Sequence, residues 1–302
     1  MRPSATRPVG SPHYSDRLLG LATLYVVSTP IGNLADLTYR GAEVLARAYR
    51  VVAEDTRRTR ILLRHYGIET PVTSLHAHNE AQRCRLVTRW LEEGHDVALV
   101  ADAGTPLICD PGERVVASVL RKGYPVVPIP GPSAVLSALV ISGLPTVPFT
   151  FHGFPPRKAK LREQLLERIA TAPETTVLFE APNRLVELLI DLARRCGPER
   201  SVAVARELTK VHEDCFRGTL EDARRYYERV PPRGEVVVVV GGCAATREGD
   251  VTSDAEARAL ARALVASGKR PSAVARDLVA RLGLPRNRAY RIVQSLSVDE
   301  SR

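Results

Sequence analysis

Five short segments hold most of the residues that could bind a ligand or move a proton. Each follows an apolar run and combines glycine or proline with small polar residues: 28–34 (STPIGNL), 54–60 (EDTRRTR), 101–112 (ADAGTPLICDPG), 130–134 (PGPSA) and 179–184 (FEAPNR). Such segments expose backbone N–H and C=O groups, which can bind an adenosyl or amino-acid group without side-chain charge. A single segment of this kind is as well explained by a tight surface turn, but five of them favour a ligand site.

The elements that must position these segments follow from hydrophobic patterning. Apolar β-branched runs alternate with helical patterns as far as residue 145, which predicts a parallel sheet covered by crossover helices. Candidate strands cover 24–28, 50–54, 72–75, 96–100 and 125–129, with helical patterns at 42–48 and 79–93 among others. Ligands of open α/β sheets bind at the carboxyl ends of the strands. The first four segments are therefore expected at one edge of this sheet.

A second series of strands begins near residue 149, with a basic helix at 158–169 and another helix at 183–196. Successive strands without a helix near 201–220 predict a mixed sheet. We therefore predict an α/β fold with two α/β domains, 21–146 and 147–243. The segment 143–148, which holds two prolines, is the expected hinge.

A small helical module is predicted at 254–302, with helices at 254–267, 272–282 and 286–296. The last two resemble a helix-turn-helix, with Val274, Leu278 and Leu282 on one face and Tyr290, Val293 and Leu296 on the next. Arginines crowd the last helix and favour contact with RNA, whereas a plain helical cap on the core is the alternative: Arg286, Arg288 and Arg291.

Composition narrows the class of protein. The 302-residue chain has a net charge of +9, which weakly favours a polyanionic partner. Its five cysteines are scattered without a C-x-x-C pair, so neither a disulfide framework nor a metal site is expected. Residues 1–20 are read as a flexible tail, and no run approaches 18 uncharged apolar residues. A cytoplasmic protein with reduced thiols and no membrane contact is predicted.

The motifs in this order resemble the tetrapyrrole-methylase-like superfamily of S-adenosyl-L-methionine enzymes. Over about residues 23–298 the chain is similar to the bacterial 16S rRNA (cytidine-2′-O)-methyltransferases, which methylate a cytidine ribose in the decoding centre. STPIGNL, AEDTRRT and DAGTPLICDPG point to this branch. The cobalamin and sirohaem branches usually carry G-G-D-P where this chain has AGTP, and the diphthamide branch lacks EDTRRT. The resemblance implies a cofactor cleft between the two α/β domains, a 30S subunit as substrate and a homodimer.

The resemblance also assigns cofactor contacts to matching positions of this chain. These are Pro30, Ala103, Gly104, Thr105, Ile108, Ser133, Ala134, Phe179 and Leu208. Other branches place an aspartate at the position of Thr105, so a backbone contact is kept there while a charge is lost. The turn at 28–34 then walls an adenosyl pocket and holds no pyrophosphate, which explains why it lacks a triple glycine.

Methyl transfer to a ribose hydroxyl needs alignment of the two atoms and a base or cation for one proton. Asp55 is one candidate base, although N-capping of the next helix explains it equally well. Glu207 and Lys210 form either an acid–base pair, with a lysine kept neutral by burial, or a structural ion pair. No metal is required, and His76 with His78 lacks a third ligand.

Candidate substrate contacts are polar and basic residues of the same segments. Arg184 is the leading phosphate contact because it opens a helix directly after a strand of the expected cleft. With Arg184 the set comprises Asn33, Asp36, Arg57, Arg58, His76, Asn79, Arg157 and Lys158, with Arg60 as a further phosphate contact.

Two other functions remain open at this point. A tetrapyrrole methyltransferase would share the cleft, but a small ring needs neither the basic helical module nor the EDTRRT arginines. A DNA-binding regulator that senses a metabolite would use the helix-turn-helix, but it would leave about 240 residues of enzyme-like core unexplained. The chain has no G-x-x-x-x-G-K-[ST] motif and no G-x-G after the first strand, which argues against a P-loop and a Rossmann-type site.

Overall fold

The structure is a computed structural model that describes residues 20–76, 78–243, 254–267, 269–282 and 286–299. The expected N-terminal tail, apart from Gly20, lies outside the described residues, as does the linker at 244–253. Among the described residues, two five-stranded sheets belong to one compact unit. The C-terminal helices and Arg168–Glu174 belong to a second unit. No helix in the described ranges is long and apolar enough to cross a membrane.

The first sheet is parallel, as the alternating pattern predicts. It consists of β1 (Leu24–Val27), β2 (Arg50–Ala53), β3 (Val72–Ser74), β4 (Val97–Val100) and β5 (Val126–Ile129), in the order β3-β2-β4-β1-β5. Every residue of β4 is buried, because crossover helices cover both faces of such a sheet. β2 connects onward to β3 and β4 to β5, in opposite directions along the sheet, which opens a crevice at the carboxyl ends of β2 and β4.

The crossover helices of this sheet are α1 (Tyr39–Arg47), α2 (Thr56–His65), α3 (Glu80–Glu92) and α4 (Glu113–Arg121), and α5 (Ala134–Ile141) leads from β5 to the second sheet. Each of the predicted ligand segments in this half precedes one of these helices, so helix N-termini point toward the crevice. Such ends present unpaired N–H groups and a partial positive charge.

The second sheet is mixed, as predicted. It consists of β6 (Phe149–Phe151), β7 (Thr175–Glu180), β8 (Ser201–Arg206), β9 (Asp214–Thr219) and β10 (Val236–Val240), in the order β6-β7-β10-β8-β9. Only β6 and β7 run parallel to each other; the other neighbours are antiparallel. The helices of this half are α6 (Ala159–Thr171), α7 (Leu185–Cys196) and α8 (Leu220–Arg229).

One hydrophobic cluster joins the second sheet to α5 and to the turn after β1. Ile31 and α5 side chains pack against the face of the second sheet, and the buried members are Ile31, Val135, Ala138, Leu139, Val177, Ala203, Ala205, Leu208, Val237 and Val239. Because this cluster is continuous, the α/β halves predicted as separate domains share a core.

The second unit contains α9 (Asp254–Ala266), α10 (Pro271–Leu282) and α11 (Arg286–Asp299), with a core of their own. Val274 and Leu278 are buried as predicted, but Tyr290 is 46% exposed. Val293 is buried as predicted. Ala289 and Ile292 complete the inward face of α11 with it, a spacing of three and four residues that turns position 290 outward. Of the other residues predicted in α11, Arg291 is exposed, whereas the side chains of Arg286, Arg288 and Leu296 lie outside the described part.

Candidate active site

Backbone pairing ties the turn after β1 to the segment after β4. Thr29 and Gly104 exchange two N–H···O=C bonds of 2.9 Å each. The Thr29 hydroxyl donates to the carbonyl oxygen of Ala101 at 3.1 Å, and the Ser28 hydroxyl donates to Thr105 Oγ1 at 3.2 Å. Two segments about 75 residues apart in the chain therefore form one wall.

Gly32 lies where the second α/β half touches this turn. A Cβ atom at this position would lie 2.5 Å from Lys210 Cγ and 2.9 Å from the carbonyl oxygen of Leu208, so a side chain would collide. The backbone N–H of Asn33 donates to Thr209 Oγ1 at 3.0 Å. The glycine of STPIGNL is thus explained by close packing of two chain segments.

The segment 101–112 has a strained backbone. Leu107 and Cys109 have φ values of 72° and 68°, in the left-handed region that disfavours side chains. Each such residue costs on the order of 1–3 kcal/mol and is characteristic of functional sites. The buried Glu80 holds the far end of the segment, since its Oε1 accepts the N–H groups of Gly112 and Arg114 at 3.1 and 3.2 Å.

These walls enclose a cleft of ≈ 310 Å³. Its apolar side chains come from both halves, and its acidic residues are Asp102, Asp110, Glu180 and Glu235. A mostly apolar cleft of this size with a few polar groups is typical of a small-molecule site. The fit to an adenosyl group rests on the apolar wall, which includes Ile31, Ala103, Ile108, Ala134, Phe179 and Val237.

The structure places the predicted cofactor residues in or beside this cleft. Ala103, Ile108, Ala134 and Phe179 line it. Gly104 and Thr105 do not line the cleft themselves but contact residues beside it. Gly104 packs against Ile31, and the Thr105 hydroxyl donates to the carbonyl oxygen of Pro132. Ser133 caps α5, Leu208 belongs to the shared cluster, and Pro30 lines an adjacent cavity of ≈ 180 Å³.

Asp55 is the N-cap of α2. Its Oδ1 accepts the backbone N–H of Arg57 at 2.8 Å, and the Arg57 guanidinium lies 3.4 Å away. These hydrogen bonds, first that from the backbone, lower the pKa of Asp55. The structure therefore favours the capping interpretation, because a carboxylate of lowered pKa is a weak base.

Glu207 and Lys210 form an ion pair of 2.9 Å, which Glu235 extends at 3.3 Å. Burial lowers the pKa of Lys210, but the hydrogen bonds and charges of both glutamates outweigh it, so the pKa is raised. The hydrogen bond from Lys210 lowers the pKa of Glu207. A neutral lysine that accepts the substrate proton is thus disfavoured, whereas a cation at the cleft rim is retained.

A group of carboxylates that the sequence analysis did not single out lies at the ends of β2 and β4. The backbone N–H of Asp55 donates to Asp102 Oδ1 at 2.8 Å, which brings the two segments together. Burial, and then the charges of Glu54 and Asp102, raise the pKa of Asp110 to about 6. Desolvation and the charge of Asp102 raise the pKa of Glu54. The available signal was the set of carboxylates in EDTRRTR and DAGTPLICDPG.

Arg184 stands beside a buried carboxylate. Its Nη1 is 3.6 Å from Glu180 Oε1, and the Glu180 side chain is fully buried. Arg162 also approaches Glu180, at 3.9 Å, and pairs with Asp191 at 2.9 Å. Arg184 is 22% exposed, so a phosphate can reach it only in competition with Glu180.

The remaining predicted substrate residues are not gathered at one point. Asn33 caps a short 3₁₀ helix (Leu34–Asp36), which occupies its side chain. Asn79 accepts the N–H of His76 at 2.9 Å and its amide lies 2.9 Å from His76 Nε2, so these two residues hold each other. Arg58 lines both cavities, whereas the exposed residues Arg57, Arg157 and Lys158 do not line them.

Comparison with known proteins identifies relatives across nearly the whole chain. The family model "Tetrapyrrole (Corrin/Porphyrin) Methylases" matches residues 23–224. A ribosomal RNA small subunit methyltransferase I from Synechocystis sp. is 43% identical over 279 residues, which are 92% of this chain and 100% of that protein. A protein of the same name from Micromonospora olivasterospora is 44% identical, over 91% of this chain and 87% of its own.

Solved structures share the fold at lower identity. Cobalt precorrin-4 methyltransferase matches with a TM-score of 0.57 and 18% identity, over 72% of this chain and 94% of its own. Uroporphyrin-III C-methyltransferase from Thermus thermophilus, solved with S-adenosylhomocysteine, has a TM-score of 0.51 and 22% identity, over 73% and 97%. About a quarter of this chain has no counterpart in either structure.

The raised pKa of Asp110 predicts a pH-dependent cost to stability. The folded protein holds the Asp110 proton more tightly than the unfolded chain does. The stabilisation that this proton gives is fully present below about pH 4 and is lost as the pH rises through about 6. Asp110→Asn should therefore match the original protein at low pH and exceed its free energy of unfolding near pH 8, by about 1 kcal/mol given the partial exposure. Urea unfolding across this range measures the difference.

Asp55→Ala is the matched comparison. The lowered pKa of Asp55 stabilises the fold above the carboxyl pKa of the unfolded chain, and this contribution is lost as the pH falls. This variant should therefore be destabilised near pH 8, with a smaller deficit in acid. For Asp110→Asn, a difference in the free energy of unfolding from the original protein that stays constant with pH would contradict the raised pKa of Asp110.

Proposed function

This chain belongs to the tetrapyrrole methylase family and, within it, to the ribosomal RNA small subunit methyltransferase I proteins, and we propose on that premise that it methylates 16S rRNA with S-adenosyl-L-methionine as the donor. The acceptor is the 2′-oxygen of a cytidine ribose in the decoding centre of the 30S subunit, and the enzyme acts in the cytoplasm. The observation that carries the proposal is the 43% identity across 92% of the chain and all of a relative named for this activity.

The level of sequence identity separates this function from methylation of a tetrapyrrole. Relatives named for ribosomal RNA share 40–48% identity with this chain. The one from Synechocystis sp. leaves only 8% of the chain unmatched, so its alignment reaches into the C-terminal helices, whereas others of that name leave about a quarter unmatched. The solved tetrapyrrole enzymes leave about a quarter unmatched and share no more than 22% identity, which supports the fold alone. A regulator is disfavoured on the same ground, since the relatives are methyltransferases.

S-Adenosyl-L-methionine supplies an activated methyl group on a sulfonium. The protein therefore has to bind the donor and the substrate, orient the two reacting atoms and accept one proton. The apolar wall of the cleft holds the adenosyl group and excludes water from the reacting atoms. The backbone pair between Thr29 and Gly104 keeps that wall rigid. Lys210, held as a cation by two glutamates, can stabilise developing negative charge on the attacking oxygen.

The arginines of α2 suit the phosphates of RNA. Arg57, Arg58, Arg60 and Arg64 are exposed on one short helix, and among the described residues their one acidic partner is Asp55, beside Arg57. Arg58 also lines both cavities, so the row of charge leads from solvent to the cleft. Such a row binds a polyanion in a salt-dependent manner.

The C-terminal helices offer a second RNA surface. Tyr290 is 46% exposed and stands next to the exposed Arg291 on α11. An aromatic ring beside a guanidinium can stack on an unpaired base while the cation holds phosphate. The outward turn of Tyr290 removes it from the helical core and supports a binding role for this unit.

A second copy of the chain is proposed to cover the outer side of α5. This helix buries one face in the shared cluster, yet Leu136 and Val140, four residues apart, are 53% and 70% exposed. Val147, in the segment between the halves, is 84% exposed. Exposed apolar side chains one helical turn apart, as Leu136 and Val140 are, are characteristic of protein–protein contacts, which supports the homodimer that the family resemblance implies.

Transfer of labelled methyl groups tests the function directly. The protein is incubated with methyl-labelled S-adenosyl-L-methionine and 30S subunits that lack the modification, and the labelled nucleotide is mapped. Label is expected on one cytidine ribose. Ala103→Trp should abolish labelling because an indole fills the cleft wall, whereas Ala81→Trp should not, because Ala81 is an exposed residue of α3 that does not line the cleft. Label on a uroporphyrinogen-type ring and none on the subunit would refute the proposal.

Arginine variants test the RNA contacts. Arg58→Ala, Arg184→Ala and Arg291→Ala should each weaken binding to the 30S subunit and reduce the salt slope of log K by about 0.7–0.9 per lost phosphate contact. Arg89→Ala is the control, because Arg89 lies on α3 and pairs with Glu93 at 2.8 Å. An unchanged affinity and slope for any variant would remove that residue from the interface.

Sedimentation equilibrium tests the homodimer. The original protein should sediment as a dimer, and Val140→Asp should yield a monomer because a charge would be buried at the contact. Val211→Asp serves as the control, since Val211 is 95% exposed and lies outside α5. A monomer of the original protein at micromolar concentration would exclude the proposed interface.

A further inference from the structure

We propose that the Asp110 carboxylate is the catalytic base that takes the proton from the substrate hydroxyl during methyl transfer, an inference that rests on the proposed function. It assigns to Asp110 the role for which the sequence offered Asp55, Glu207 and Lys210.

The contacts of the cleft carboxylates separate Asp110 from the others. Four acidic residues line the cleft: Asp102, Asp110, Glu180 and Glu235. Asp102 accepts the backbone N–H of Asp55, and Glu235 pairs with Lys210. Glu180 accepts the N–H of Ala181 and lies between two arginines. For Asp110, the described residues contain no hydrogen bond to the carboxylate and no ion pair, so its oxygens are available to a substrate.

The loop that carries Asp110 is held at both ends. At one end Gly104 pairs with Thr29, and at the other Glu80 accepts the N–H of Gly112. Between them, Cys109 has a positive φ, a conformation that persists only where the surroundings impose it. A carboxylate on such a loop is positioned before the substrate arrives, which is what proton transfer requires.

The residues around Asp110 make its carboxylate more basic. Glu54 and Asp102 face it from the ends of β2 and β4, the Cys109 thiol is adjacent, and Arg58 lines the same cleft. His76 offsets part of the field at Glu54. Burial and the two negative charges raise the pKa of Asp110 to about 6, which leaves it ionised at neutral pH and more basic than an ordinary carboxylate. General bases work best when their pKa lies near the working pH.

The step balances without a further reactant. As the 2′-oxygen attacks, the bond from this oxygen to the methyl carbon forms and the bond from sulfur to the same carbon breaks. The electron pair of the broken bond remains on sulfur, which becomes a neutral thioether. The hydroxyl proton passes to the Asp110 carboxylate and is later released to water.

The experiment compares Asp110→Asn with Glu54→Gln and with the surface control Glu93→Gln. For the original protein and for Glu93→Gln, kcat/KM on 30S subunits should rise with pH through an ionisation near pH 6. Asp110→Asn should lose roughly 10²–10⁴-fold in kcat and lose this ionisation. Glu54→Gln should retain activity with the ionisation moved to lower pH, because one of the charges that raise the pKa of Asp110 is gone.

Three further readouts exclude a merely structural effect. The Kd of Asp110→Asn for S-adenosyl-L-methionine, measured by calorimetry, should stay within about threefold of the original, far less than the loss in kcat. The variant should also be more stable near pH 8, so a lower activity cannot come from unfolding. Asp110→Glu should recover part of kcat, since it restores a carboxylate.

Each contrary result has a distinct meaning. A kcat within threefold of the original, or an unchanged ionisation in Asp110→Asn, would overturn the assignment. A loss of activity accounted for by weaker cofactor binding would overturn it as well and make Asp110 a cofactor contact. If the original protein labels no 30S RNA while it still binds the cofactor, the proposed function fails and this inference fails with it.

Discussion

Packing of one face of α5 against the second sheet is the constraint on which the site depends. Val135, Ala138 and Leu139 leave water by packing, with Ile31, against β7, β8 and β10. Each large apolar side chain buried in this way contributes roughly 1.5–3 kcal/mol. The same packing sets the distance between the carboxyl ends of the parallel strands and the facing strands of the second sheet. The cleft lies beside this packed cluster, where the segments after β1, β4 and β5 face the second half of the fold.

Rigidity of the cleft wall comes from interactions between segments distant in the chain. The Thr29–Gly104 pair and the Glu80–Gly112 contact hold a loop whose own backbone is strained at Leu107 and Cys109. A strained backbone conformation persists only if the surrounding structure offsets its free-energy cost, and such conformations are concentrated at catalytic sites. Here it places the Asp110 carboxylate, for which the described residues supply no ion pair, on an apolar wall. That arrangement lowers the stability of the fold at neutral pH and makes the Asp110 carboxylate more basic. Such a compromise between stability and activity is common in enzymes.

Charge is sorted by location. Negative side chains gather at the ends of β2 and β4 and along the cleft, whereas exposed arginines cover α2 and the C-terminal unit carries Tyr290 beside Arg291. The exposed arginines of α2 and Arg291 are thus cations that a polyanion can contact. An acidic interior to the cleft also repels phosphate, so RNA backbone is directed to the rim while a neutral ribose hydroxyl can enter. Glu180, which lines the cleft, lies 3.6 Å from Arg184, and Glu235, which also lines it, pairs with Lys210 at 3.3 Å.

The sequence by itself determined the strands, the helices and the segments that line the cleft, because period and turn chemistry are local properties. It also contained the N-cap of α2, since Asp55 precedes the helix that it caps. The state of each carboxylate was decided only by the tertiary structure. Glu54, Asp102 and Asp110 meet because β2 and β4 are neighbours, although they lie up to 56 residues apart in the chain. Desolvation and like-charge repulsion act through space, so no spacing in the sequence encodes them.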